Sequence, residues 1–309
     1  MNRRAFLKNT ALATIVVATG FSTPLFAQKK SLASQECQII AKDALLEQVA
    51  TGYAFTEGPA AASDGRIFFT DQPNDRIYVW DEEKGVTLWS EETEHSNGLF
   101  FNGDDKLVAC ADEHNRIILF GNRDERKILF EDFEGKHLNG PNDLWITPNG
   151  GIYFTDPYYH RDYWKEGHAE AQDARGVYYL SPEGVITRVV DDYKQPNGII
   201  GTPDGKRLYI ADIHDRKIWK YTILSDGTLT DKTFFAPHGS DGMTIDNRGN
   251  IYLTMGKVWI FSPQGTLIQE IEVPENPSNV CFGGKNGDTL FITARTSVYT
   301  LKMNVKGMQ

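Results

Sequence analysis

Six residues of the sequence share one phase of an imperfect repeat, and all carry side-chain oxygen: Glu57, Asn97, Asn142, Asn197, Asp241 and Asn279. They open the segments EGPAAASDGRIFFTD, NGLFFNGDDKLVACAD, NDLWITPNGGIYFTD, NGIIGTPDGKRLYIAD, DGMTIDNRGNIYLTM and NVCFGGKNGDTLFITA, at intervals of 40, 45, 55, 44 and 38 residues. Two carboxylates and several amide carbonyls brought to one point describe a site for a hard divalent cation. Calcium accepts such mixed oxygen donors at roughly 2.3 to 2.6 Å, whereas magnesium demands stricter octahedral geometry. Neither His nor Cys belongs to the set, which disfavours a typical zinc site while leaving magnesium, manganese and zinc as alternatives.

Asn and Asp also favour turns, and Asn97-Gly98 and Asn197-Gly198 resemble hairpin turns. The stretch GPND at 140–143 poses the same choice for Asn142. A hairpin turn lies between two paired strands. These residues stand just before the first strand of their segments, led in by PN or SN, and Glu57 is a poor turn former. The six together therefore read as a site.

The strands that carry these residues follow from the repeat. Eight residues after each start comes a polar tight turn, at Gly65, Asp105, Gly150, Gly205, Gly249 and Gly287. A β-branched and aromatic run follows, such as IFFTD, IYFTD or LYIAD, and then a third run such as RIYVWD, GVYYLSP or KIWKYTI. These runs have strand composition, and no helical period is sustained. Six repeats of about 40 residues predict an all-β fold, a six-bladed β-propeller over residues 44–305. Only three strands remain in the last copy, so the run from Ala44 to Tyr53 is expected to supply its outer strand and fasten the ring. Equivalent positions of the blades circle the axis, so the six start residues meet at one end of the channel. The longest interval holds YYHRDYWKEGHAEAQDARG, a loop expected over one face.

The first 27 residues read as an export signal: Arg3, Arg4 and Lys8 precede an apolar stretch, Ala11 to Phe21, too short to span a bilayer. NRRAFLK resembles a twin-arginine signal with Asn2 where Ser or Thr is usual. Residues 28–43 form a lead-in segment. A periplasmic or secreted location is expected, with no membrane attachment once the signal is removed. Removal takes the formal net charge from -10 to -13, which excludes nucleic acid as a partner and suits metal cations and neutral small molecules. Cys37, Cys110 and Cys281 form no disulfide or zinc pattern, and Cys110 and Cys281 fall in strand runs as buried apolar residues. No GxSxG elbow is present, which disfavours serine esterase chemistry.

TEGPA, SNGLFFNGDDKLVAC, HLNGPNDLWITPNGGIYFTDP, QPNGIIGTPDGKRLYIAD, SDGMTIDNRGNIYLT and GDTLFITA together resemble the SMP-30/gluconolactonase-like family of calcium-dependent lactonases, over residues 50 to 303. The resemblance implies a six-bladed propeller whose metal is held by Glu57 from EGP, Asn142 from PND, Asn197 from PNG and Asp241 from SDG. It implies hydrolysis of a sugar lactone such as gluconolactone, with one divalent cation polarising the carbonyl and orienting water. Asp241 is then the expected general base and Asn142 a ligand of metal or substrate, with Asp143 structural. Asn97, His114, His137 and Tyr158 are expected to touch substrate, and His95, Tyr159, His160 and Trp164 lie in loops bordering the same face. Trp80, Trp219 and Trp259 recur in third strands and read as blade packing. Hydrolysis of other lactones or phosphotriesters at the same site, or a non-catalytic binding propeller with a structural metal, are the competing readings.

Overall fold

The computed structural model describes residues 38–121, 123, 125–164 and 169–308, and the expected export signal lies outside them. Residues 39–309 form one compact unit. Its strands build six four-stranded antiparallel sheets. Their innermost strands are Thr56–Ala61, Ser96–Phe101, Leu144–Ile146, Pro196–Gly201, Met243–Ile245 and Asn279–Gly283. Each innermost strand packs against that of the next blade, and the sixth packs against the first, which closes the propeller. Among the described residues there is no α-helix, only a 3-10 turn at Gln72–Asn74.

The inner hairpins turn where the repeat predicted. Gly65, Gly150, Gly205, Gly249 and Gly287 all take positive φ, and Asp105 takes the same left-handed conformation at φ 56°. That geometry costs Gly nothing and is open to Asp through its short polar side chain. The sixth blade is completed by Glu47–Thr51, which pairs antiparallel with Ser297–Lys302 and sets Glu47 opposite Thr300. The ring is therefore closed by the two ends of the compact unit, and Ile40 adds a further bridge to Met303.

Packing between blades is apolar. Trp80 and Phe69 meet Phe291 across the closure, at ring separations of 5.6 and 5.5 Å. Trp219 and Trp259 also sit in third strands, partly buried, with Lys232 and Lys257 against their faces. Cys110 and Cys281 are free thiols in buried strand positions.

Candidate metal and substrate site

The strands release the start residues from regular pairing. Register slips between Glu57 and Ala60, between Ser96 and Leu99, and between Pro196 and Ile199, so Glu57, Asn97 and Asn197 stand at bulges. Bulges re-aim side chains and recur beside active sites. In blades three and five the strand proper begins later, and Asn142 and Asp241 lie just ahead of it, their backbone N–H groups held by Thr155 and Thr254 carbonyls. In blades one, three and four the lead-in chain is fixed by an Asp at the end of the second strand: Asp71 accepts from Ala54 and Phe55, Asp156 from Asn139 and Gly140, Asp212 from Lys194 and Gln195.

The start residues form a continuous ring. Gly98 donates its N–H to the Asn142 carbonyl at 2.8 Å, and Ile199 donates to Asp143 Oδ2 at 3.4 Å. Asn197 Nδ2 donates to Asp241 Oδ1 at 2.8 Å, and Asn279 Nδ2 to Glu57 Oε2 at 2.9 Å. Blades this close leave no room beside the start residue: a Cβ on Gly58 would lie 2.0 Å from the Asn97 carbonyl oxygen, and one on Gly242 would overlap the Asn279 amide. Blade three has Asp143 at that position instead. Its carboxylate accepts from Leu144 and from Ile199 of the next blade, which is a structural task.

Within the ring, four side chains differ from the other two. Asn279 is spent on Val280 N–H and on Glu57, and Asn97 donates to Gln72 Oε1. Asn142 is buried, yet its amide makes no hydrogen bond to any described residue. Asn197 is only 1% exposed; its Nδ2 donates to Asp241 and to Tyr159, while its carbonyl Oδ1 has no hydrogen-bond partner. A buried carbonyl without a donor is costly, and a cation would satisfy it. Turn chemistry in GPND thus falls to Asp143 and leaves the Asn142 amide free. Glu57, Asn142, Asn197 and Asp241 fit a hard cation by their donor chemistry.

The electrostatics agree. Burial pushes the Glu57 carboxyl well above its ordinary range, and Asp241 adds to the rise. Asp241 is raised to about 6 by burial, offset by the Asn197 hydrogen bond and by the charges of Arg161 and Arg295. Asp143 is raised to about 7, again chiefly by burial. Of the six start residues only Asp241 keeps appreciable solvent contact. Below the ring, Leu99, Ile199, Met243 and Val280 floor the channel and leave a cavity of about 10 Å³. A concavity of about 940 Å³ opens at the other end of the propeller among the hairpin turns, lined by Phe100, Trp145, Pro148 and Leu180, and contains none of these groups.

Residues 157–164 cover the ring end. Tyr159 OH accepts from Asn197 at 2.9 Å, and Arg161 Nε and Tyr163 OH reach Asp112 Oδ2 at 2.7 and 2.5 Å. Tyr163 stacks on His95 at 3.7 Å, and His95 Nδ1 donates to the Gln72 carbonyl. Tyr158 packs against Trp164, and its carbonyl accepts from Gln195. His114 and His160 are exposed. His137 lies on a small hairpin, Asp132–Phe133 with Lys136–His137, exposed and paired with Asp132 at 2.7 Å, and none of its contacts involves the ring. A second set of potential metal ligands, Asp75, His95 and Glu113, lies within 4.8 Å of one another on the same face, although Asp75 Oδ1 already accepts from Thr93 and His95. Neither Tyr159 as the partner of Asn197 nor Arg161 as that of Asp112 was legible, because both depend on where an unpatterned loop lands.

The family model for the SMP-30/Gluconolactonase/LRE-like region matches residues 55–296. This chain belongs to that family. It is 30% identical to a gluconolactonase of Zymomonas mobilis, over 85% of this chain and 82% of the relative. It is 26% identical to a pentonolactonase of Haloferax volcanii, over 79% of this chain and 83% of the relative. A solved gluconolactonase from Xanthomonas campestris superposes with a TM-score of 0.80 at 27% identity, covering 85% of this chain and 91% of that one. The family member described here matches these proteins along nearly the whole propeller, with the four cation-suited side chains inside the matched span.

Proposed function

We propose that this protein hydrolyses sugar lactones of the gluconolactone type, using one divalent cation, calcium first, held by Glu57, Asn142, Asn197 and Asp241. The observation that carries the reading is the unpartnered Asn197 Oδ1 and the free Asn142 amide in a ring with two carboxylates. Relatives named gluconolactonase and pentonolactonase support the substrate class. A cation bound there supplies Lewis acidity toward the lactone carbonyl. Asp241 has one oxygen held by Asn197, so the other accepts the proton of the attacking water and returns it to the ring oxygen as the acyl C–O bond breaks, which releases the hydroxy acid. The Asn142 amide N–H groups donate to the carbonyl oxygen as negative charge develops on it. Glu57, fixed by Gly58 N–H and Asn279, holds its carboxylate still and balances cation charge. The apolar floor keeps bulk water from the far side of the channel.

The test follows acid release from glucono-1,5-lactone by protein stripped with chelator and then given calcium, magnesium, manganese or zinc. Turnover restored by a cation supports the reading. No turnover on any lactone with any cation sinks it and favours a binding propeller. We also propose export through residues 1–27 to the periplasm or beyond, checked by fractionating cells that express the full chain.

A further inference from the structure

We infer that Arg161 orients the substrate, its two terminal nitrogens taking hydroxyl oxygens of a neutral polyhydroxylated lactone. This rests on the lactone-hydrolysis reading and names the side chain that would select for the sugar ring. Arg161 is fixed from one side only. Its Nε donates to Asp112 Oδ2 at 2.7 Å, and that oxygen also receives Tyr163 OH and Gln72 Nε2, while Trp164 Nε1 donates to the Asp112 carbonyl. Asp112 is 2% exposed at its side chain, and Arg161 keeps 22%. The guanidinium also lies over the Tyr159 ring at 5.3 Å, and Tyr159 OH accepts from Asn197 in the candidate cation site. One continuous path of contacts therefore joins the guanidinium to the cation-suited ring.

What remains of the fork is open. Neither Nη1 nor Nη2 makes a hydrogen bond to a described residue, so up to four N–H donors remain for a ligand. The charge is already balanced by Asp112, which suits a neutral polyol better than an anionic substrate. A guanidinium pinned at Nε and stacked on an aromatic ring loses little freedom on binding, so its remaining donors are preorganised. A lactone without hydroxyls covers those donors and gives them no partner, which is how a polar site rejects an analogue lacking the matching group.

The experiment measures kcat/KM for glucono-1,5-lactone and for δ-valerolactone, which has the same ring and no hydroxyls, with wild-type protein, Arg161→Met and Arg161→Lys. The ratio of gluconolactone to valerolactone efficiency is expected to fall about 10- to 100-fold in Arg161→Met, mainly through KM, and by less in Arg161→Lys. A loss of equal size on both lactones assigns Arg161 to holding the loop and overturns the inference, as does an unchanged ratio with full activity. Thermal melts check folding, and if Arg161→Met does not fold, Arg161→Lys carries the same comparison. Wild-type protein inactive on both lactones removes the lactone-hydrolysis reading itself, an outcome distinct from any pattern among active variants.

Discussion

The Asn279 side-chain amide donates to Glu57 Oε2 at 2.9 Å, joining the last blade to the first across 222 residues of sequence. The same Asn accepts Val280 N–H through its Oδ1, so its orientation is fixed from both sides. Replacing Asn279 with Ala leaves a buried carboxylate short of a donor, and the expected loss is about 1–3 kcal/mol of stability. Urea unfolding of the metal-free protein measures it. An Asn279→Ala protein as stable as wild type contradicts the closure role.

Stability of the metal-free protein should fall as pH rises from 5 to 8. The carboxyls of Asp241, Asp143 and Asp156 are raised to about 6, 7 and 7, so folding favours their protonated forms. Their contribution is complete below the ordinary carboxylate range near 4 and is lost as pH passes through 6 to 7. Calcium binding to ionised Glu57 and Asp241 should reduce that fall. Asp156 accepts only backbone N–H groups, so Asp156→Asn should remove a part of the slope that calcium does not change. Melting temperature against pH, with and without calcium, reads both effects. A rise in stability over that range without metal contradicts the assignment.

Gly58 and Gly150 both take positive φ, at 49° and 91°, yet substitution should separate them. A Cβ at Gly150 meets nothing within 4 Å, so Gly150→Ala costs only backbone strain, about 1–2 kcal/mol. At Gly58 the Cβ would overlap the Asn97 carbonyl of the next blade, and about 3 kcal/mol or more is expected. Denaturant midpoints of the two variants give the comparison, and equal losses contradict tight approach at the ring.

Much of this was legible because a propeller repeats its chemistry. The positive-φ turn eight residues after each start appears in the sequence as five Gly and one Asp, and the missing outer strand of the last blade appears as a strand-like run before the first. Six oxygen-bearing residues at one phase likewise exposed the ring. The division of labour within it was harder to see. Asn97 and Asn279 have the same residue type as Asn142 and Asn197, and only their neighbours Gln72 and Glu57 show that they are occupied by protein partners. The Gly after the start in blades one, two, four and five is likewise explained only by the closeness of the next blade. Asp112 resembles Asp71, Asp156 and Asp212 at the end of a second strand, but it also anchors Arg161 and Tyr163 from a loop about 50 residues away, with no periodic signal to announce it.

We propose that Glu57, Asn142, Asn197 and Asp241 jointly hold the one cation that lactone hydrolysis requires. Calorimetric titration of calcium into the stripped protein, with gluconolactone hydrolysis measured on the same samples, reads binding and activity together. One site per chain, activity rising in step with occupancy, and loss of both in Glu57→Gln are expected. Full activity in the stripped protein, or unaltered calcium affinity in Glu57→Gln, would contradict it.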